Sequence, residues 1–133
     1  MNDLTLNIDD GTLLTYRVGA PIPAGFGREN YSMLEAGYSI NIFEDSISSI
    51  FVCFREGYED FKNFKGAVTV NKKKFNLNSN SSYDEVVAIF GEPKDTWNDG
   101  VEQCAEFEKN GINIEVIWHV DGVKTLDYIS LEI

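Results

Sequence analysis

Histidine, cysteine, methionine and proline are nearly missing from this chain: one, two, two and three residues respectively in 133. Neither Cys53 nor Cys104 has a second cysteine or a histidine at the spacing of a zinc site, so both read as buried free thiols and no metal centre is expected. Basic residues are scarce too. Eleven Lys and Arg face 22 Asp and Glu, a formal charge of -11 with a pI near 4.4, which opposes binding to nucleic acid or to an anionic membrane. A basic protein or a cation is the better-matched partner. No stretch approaches the roughly 18 apolar residues of a membrane span, and the opening residues lack the basic and apolar regions of a secretory signal, so a cytoplasmic protein is expected. Glycine-rich phosphate loops, a P-loop lysine and a dinucleotide fingerprint are all absent, and no cofactor is implied.

What is present is apolar and aromatic: 43% hydrophobic residues and 13% Phe, Trp and Tyr, the composition of a folded domain. One domain with a real core fits this length. The clearest element lies in the second half. Ser81 or Ser82 caps a predicted helix with Asp84 and Glu85 in its first turn, and Gly91 and Pro93 stop it. Tyr83, Val86, Val87 and Phe90 fall on one face of that helix. Before it, the alternation on either side of Asn71 predicts a hairpin; after it, three strands are predicted around Gln103 to Glu108, Ile112 to Trp118 and Thr125 to Ile133. Turns at Asn110-Gly111 and Asp121-Gly122 separate them. Ile112, Ile114, Val116 and Trp118 share one sheet face, which the helix is placed to cover.

The first half repeats this order. Val18-Gly19-Ala20-Pro21 matches Phe90-Gly91-Glu92-Pro93, each closing a possible helix, the first over Gly11 to Val18. The stretch from Gly37 to Phe43 matches that from Gly111 to Ile117, and Ile50, Val52 and Phe54 match Ile129, Leu131 and Ile133. The expectation is an α+β fold: one domain of two related helix-plus-antiparallel-meander units, about 1–55 and 67–133, joined by a connector over 56–66, with the helices packed on one face of the sheet.

A helix ending in Gly-x-Pro and followed by a meander whose middle strand starts at a glycine turn resembles the unit of the small SmpA-type outer-membrane lipoproteins. A tandem copy is similar to the beta-lactamase inhibitory proteins, and to cytosolic immunity proteins of bacterial polymorphic toxin systems. Gly91, Pro93 and Gly111 are structural in those families, so the resemblance implies binding rather than catalysis. The chain departs from the lipoproteins in lacking a signal sequence and a lipid-bearing cysteine near its start, which favours the inhibitor side of the resemblance.

Candidate chemistry is sparse. His119, the sole side chain with an ordinary pKa near neutrality, sits at a strand end beside Trp118 and before Asp121. It reads as a general base supported by Asp121, as an interface contact, or simply as a strand-end residue; no Ser or Cys nucleophile stands in a recognisable turn nearby. Glu102, Glu106, Glu108 and Glu115 alternate along adjoining strands and are placed to share one face, where they would meet Lys and Arg of a partner, hold a cation, or be solvated. Lys72 to Lys74 mark either a weak nucleic-acid signal or a guarded sheet edge. The loop Ala20 to Asn30 holds Phe26 among prolines and glycines; like Trp97 and Tyr58, Phe26 is a packed residue or an exposed anchor.

The resulting expectation is a non-enzymatic, acidic immunity protein that occludes the active site of a basic toxin such as a nuclease. Its partner-binding residues would be Glu106, Glu108, Glu115, His119, Phe26 and Trp97. The alternatives are a small-molecule-binding domain with His119 at the mouth of a pocket between helix and sheet, and an assembly adaptor.

Overall fold

The computed structural model describes residues 4–27 and 32–133. In chain order the strands are β1 Thr5–Asn7, β2 Thr12–Leu13, β3 Tyr16–Arg17, β4 Ser32–Met33, β5 Tyr38–Phe43, β6 Ser46–Cys53, β7 Ala67–Val70 and β8 Lys73–Phe75. Helix α1 Tyr83–Phe90 follows, then β9 Asp95–Asn98, β10 Glu102–Lys109, β11 Ile112–His119 and β12 Thr125–Glu132. They form a seven-stranded sheet, β4-β5-β6-β12-β11-β10-β9, and a five-stranded one, β3-β2-β1-β7-β8. Every pairing is antiparallel except β1 with β7.

Alternation decides which face of the large sheet is covered. Ile112, Ile114, Val116 and Trp118 of β11 share a face with Ile129 and Leu131 of β12, Ile50 and Val52 of β6, and Phe107 of β10. All are buried in one cluster with Leu6, Leu13, Val68 and Val70 of the small sheet, Ile8 just after β1, and Val86 of α1. The small sheet and the helix therefore cover the same side of the large sheet. Ser82 caps α1 in a reciprocal capping box with Glu85. Tyr83 and Phe90 then pack on Trp118 and Phe107 at ring separations of 5.2 and 5.0 Å, while the Trp118 indole donates to the Ser81 carbonyl at 3.0 Å.

Asp9 joins the two sheets. Its carboxylate accepts the backbone N–H groups of Asn71 and Lys72 at 2.8 and 2.9 Å, in the β7–β8 turn, and pairs with Lys109 at 3.0 Å; its carbonyl accepts from Asn110. Lys73 and Lys74 lie exposed on β8, an edge strand of the small sheet, as the guarded-edge reading has it.

The expected pair of helix-plus-meander units is not what forms. The structure is mostly β, with a single α-helix among the described residues, and that helix belongs to the second half. Residues 11–18, expected to be the first helix, make the β2–β3 hairpin instead, with Leu14 turning at φ 56. Eight residues that open on a glycine and carry β-branched Thr12, Thr15 and Val18 gain little as an isolated helix, so packing decides. Gly11 takes φ 69, a left-handed backbone that other residues rarely adopt, and a Cβ there would stand 2.5 Å from the tip of the Ile112 side chain, so a glycine suits the turn into the hairpin. Nor is residues 56–66 a bare connector: Phe61 and Phe64 are buried, Phe64 against Phe54 in the main core.

Candidate functional site

The opposite face of the seven-stranded sheet carries the chain's chemistry. Register places Asp95 of β9, Glu102, Glu106 and Glu108 of β10, Glu115 of β11 and Glu132 of β12 on it: Asp95 faces Glu106, Glu106 faces Glu115, and Glu102 faces His119. Lys109, the one Lys or Arg in these four strands, alternates to the core side and is held by Asp9. Glu108 and Glu132 are exposed, and Glu102, Glu106, Glu115 and His119 half-buried. A groove of about 290 Å³ opens between Lys94, Glu106, Asn113, Glu115, Ser130 and Glu132, with the Lys94 ammonium bonded to the Asn113 amide oxygen at its rim.

One end of this face is roofed by aromatics. Phe51 and Tyr128 receive Tyr58 and Phe61 from the segment after β6, with ring separations between 4.8 and 6.5 Å. Arg55 lies over Tyr58 and pairs at 3.5 Å with Asp127, which is buried at the bulge of β12. The acidic half, over β9 to β11, has no such cover among the described residues.

Burial and like charge act together in the acidic half. Glu115 is pushed above the usual carboxylate range, first by burial and then by Glu132, Glu106 and Glu102, although the Tyr128 hydroxyl donates to it at 3.2 Å. Burial likewise raises the Cys104 thiol to about 12, with Glu115, Glu106, Asp95 and Glu102 adding to the shift. Burial is also the main reason Cys53 is raised, to about 11. The two cysteines share one cross-strand row, Cys104–Ile117–Tyr128–Cys53, which spans three interstrand steps. At about 4.8 Å per step they stand roughly 14 Å apart, twice the reach of a disulfide.

Of the six residues expected to bind a partner, the sheet collects five: Glu106, Glu108, Glu115, His119 and Trp97, the last 40% exposed on edge strand β9 opposite Cys104. Phe26 stands apart. It packs edge-on against Tyr16 of β3 at 5.4 Å, beside the main core and away from the acidic face. Residues 28–30 of its loop lie outside the described residues. Trp118 points into the core and His119 to the outer face, so the groove at the start of α1, lined by Ser82, Gln103, Trp118 and Lys124, does not include His119. Sequence reasoning missed Asp95 and Glu132, which complete the acidic face, and the placement of Cys104 beneath it.

No helix among the described residues is long and apolar enough to cross a membrane. Scans against protein-family models, curated proteins and solved structures find no match to this chain.

Proposed function

We propose that this chain is a binding module that acts in the cytoplasm as an immunity-type inhibitor, covering the basic active site of a cognate toxin with its outer sheet face. The observation that carries the reading is the charge segregation of β9 to β12: six carboxylates on the outer face, with the only Lys of these strands turned to the other. Such a face speeds encounter with a cationic surface and confers specificity more than raw affinity. Trp97 at its edge supplies the aromatic anchor that a purely ionic surface lacks. Occlusion needs no nucleophile and no general base from this chain, and His119 then serves as a contact beside Glu102.

The test is binding to the product of the adjacent gene, the expected toxin, measured as association rate against salt concentration. A stoichiometric complex that silences the toxic activity supports the reading, with an association rate that falls steeply with salt and drops about tenfold in Glu106→Lys/Glu108→Lys. A complex whose association rate ignores both salt and the charge reversals would refute the electrostatic mechanism. The absence of any complex would refute the inhibitor reading itself.

A further inference from the structure

Cys104 presents the most unusual juxtaposition in the molecule. Its side chain is wholly buried, yet on the outer face, two residues from Glu106 and diagonal to Glu115 across the β10–β11 ladder. The thiol sulfur and one carboxylate oxygen from each glutamate lie within 4.8 Å of one another. The thiol has no hydrogen-bond partner among the described residues, whereas Cys53, the other buried thiol, donates to the Arg55 carbonyl at 3.1 Å. Lys94, the nearest cation at the groove, is bonded to Asn113 rather than to either glutamate. An unpartnered sulfur beneath two facing carboxylates, within a field of four acidic neighbours, has no cation paired with it among the described residues.

We infer that Cys104, Glu106 and Glu115 form a binding site for one thiophilic divalent cation of the zinc class. Three donors with one position left for water is the ligand count of an open zinc site, and a thiolate in the set selects zinc, cobalt or cadmium over calcium and magnesium. The carboxylates reach solvent through the groove between Glu106, Glu115 and Ser130, which gives a cation its path in. Tyr128, donating to Glu115, orients that ligand from behind as outer-shell partners do. Binding displaces the thiol proton, so one sulfur–metal bond forms as one proton leaves to solvent, and occupancy rises with pH. This site does not depend on the toxin-binding reading: its test uses the isolated chain.

The test is titration of the purified, reduced chain with Co²⁺, followed by sulfur-to-cobalt charge-transfer absorption and then by displacement with Zn²⁺. One Co²⁺ per chain is expected, with a charge-transfer band that survives Cys53→Ser, is abolished in Cys104→Ser, and is not competed by excess Ca²⁺. Glu106→Gln/Glu115→Gln, which changes only half-buried groups and keeps the core intact, should weaken Co²⁺ binding at least about tenfold even if Cys104→Ser folds poorly. Either of two results overturns the site: a folded wild-type chain that shows no charge-transfer band at saturating Co²⁺, or a Co²⁺ affinity that Glu106→Gln/Glu115→Gln leaves unchanged.

Discussion

Replacing Asp9 by alanine tests whether one carboxylate holds the two sheets in register. Asn71 and Lys72 turn the β7–β8 hairpin at φ 53 and 66, a left-handed pair that Asn accepts but Lys72 does not adopt cheaply, and the Asp9 carboxylate accepts both of their N–H groups while pairing with Lys109. Asp9 is only 19% exposed, but water reaches the turn once the side chain is gone, so each charge-assisted bond is worth about 1 kcal/mol rather than its upper value near 3. The half-screened ion pair adds about 0.5 kcal/mol. Asp9→Ala should therefore cost about 2–3 kcal/mol, a fall in Tm of about 7–10 °C for a chain of this length. Asp9→Asn, which keeps one oxygen acceptor, should lose about half as much. The pH dependence is a second check. Burial alone would raise the Asp9 pKa, but the bonds from Lys72, Asn71 and Lys109 outweigh it and hold the pKa below 3.8 in the fold. A depressed carboxylate contributes stability that is fully present above its unfolded value near 3.9 and is lost as pH falls through the folded value. Urea denaturation of wild type and Asp9→Ala should thus give a constant gap from pH 5 to 8 that closes below about pH 4. A gap under about 0.5 kcal/mol at pH 7, or one that widens as pH falls, would refute the argument.

Further substitutions probe the elements around the seven-stranded sheet. Arg55→Met leaves the buried Asp127 carboxylate with only the Thr125 hydroxyl at 2.9 Å, and should cost about 2 kcal/mol in urea denaturation, less than a fully buried pair because Arg55 is 34% exposed; adding Asp127→Asn should recover part of the loss. Gly37→Ala should destabilise by about 3 kcal/mol or more by thermal melting, since its Cβ would stand 2.6 Å from the Lys62 carbonyl and the Phe64 nitrogen, whereas Gly111→Ala, with open space around it, should cost only about 1 kcal/mol for its positive φ. Replacing Glu44-Asp45 by Asn-Gly should stabilise by about 1 kcal/mol, because both residues of that β5–β6 turn hold positive φ, at 49 and 63, where Asn-Gly is at ease.

The helix, its cap, the four-residue apolar stripe and the β10–β11–β12 meander were legible because each rests on a local signal: the Ser82–Glu85 box, the glycine after Phe90, strict alternation along β11. The first half was misread for a physical reason. Leu13, Leu14, Tyr16 and Val18 are too few and too close to mark either a helical or a strand period, and the hairpin is chosen by packing against residues as distant in the chain as Ile112, 101 positions from Gly11. Strand β9 gave no sign either. Four exposed residues between Pro93 and Asp99 are too few to show a period, and β9 exists because β10 offers it an edge.

The acidic face itself follows from one dipeptide. Asn110 and Gly111 sit at φ 53 and 81, the pair of left-handed residues that a two-residue hairpin turn demands. Such a turn leaves no freedom in register, because each step back along β10 is matched by one step forward along β11. Lys109 must then face Ile112, Glu106 must face Glu115, and Cys104 must face Ile117 on the same side as both glutamates. Burying Ile112, Ile114, Val116 and Trp118 assigns the opposite side to every one of these groups. A single inserted residue in that turn would carry Lys109 across to the acidic face and Cys104 into the core. The cluster of thiol and carboxylates is thus a consequence of turn geometry and core polarity together, whereas Phe26, whose place depends on the long loop after β3, is fixed by neither.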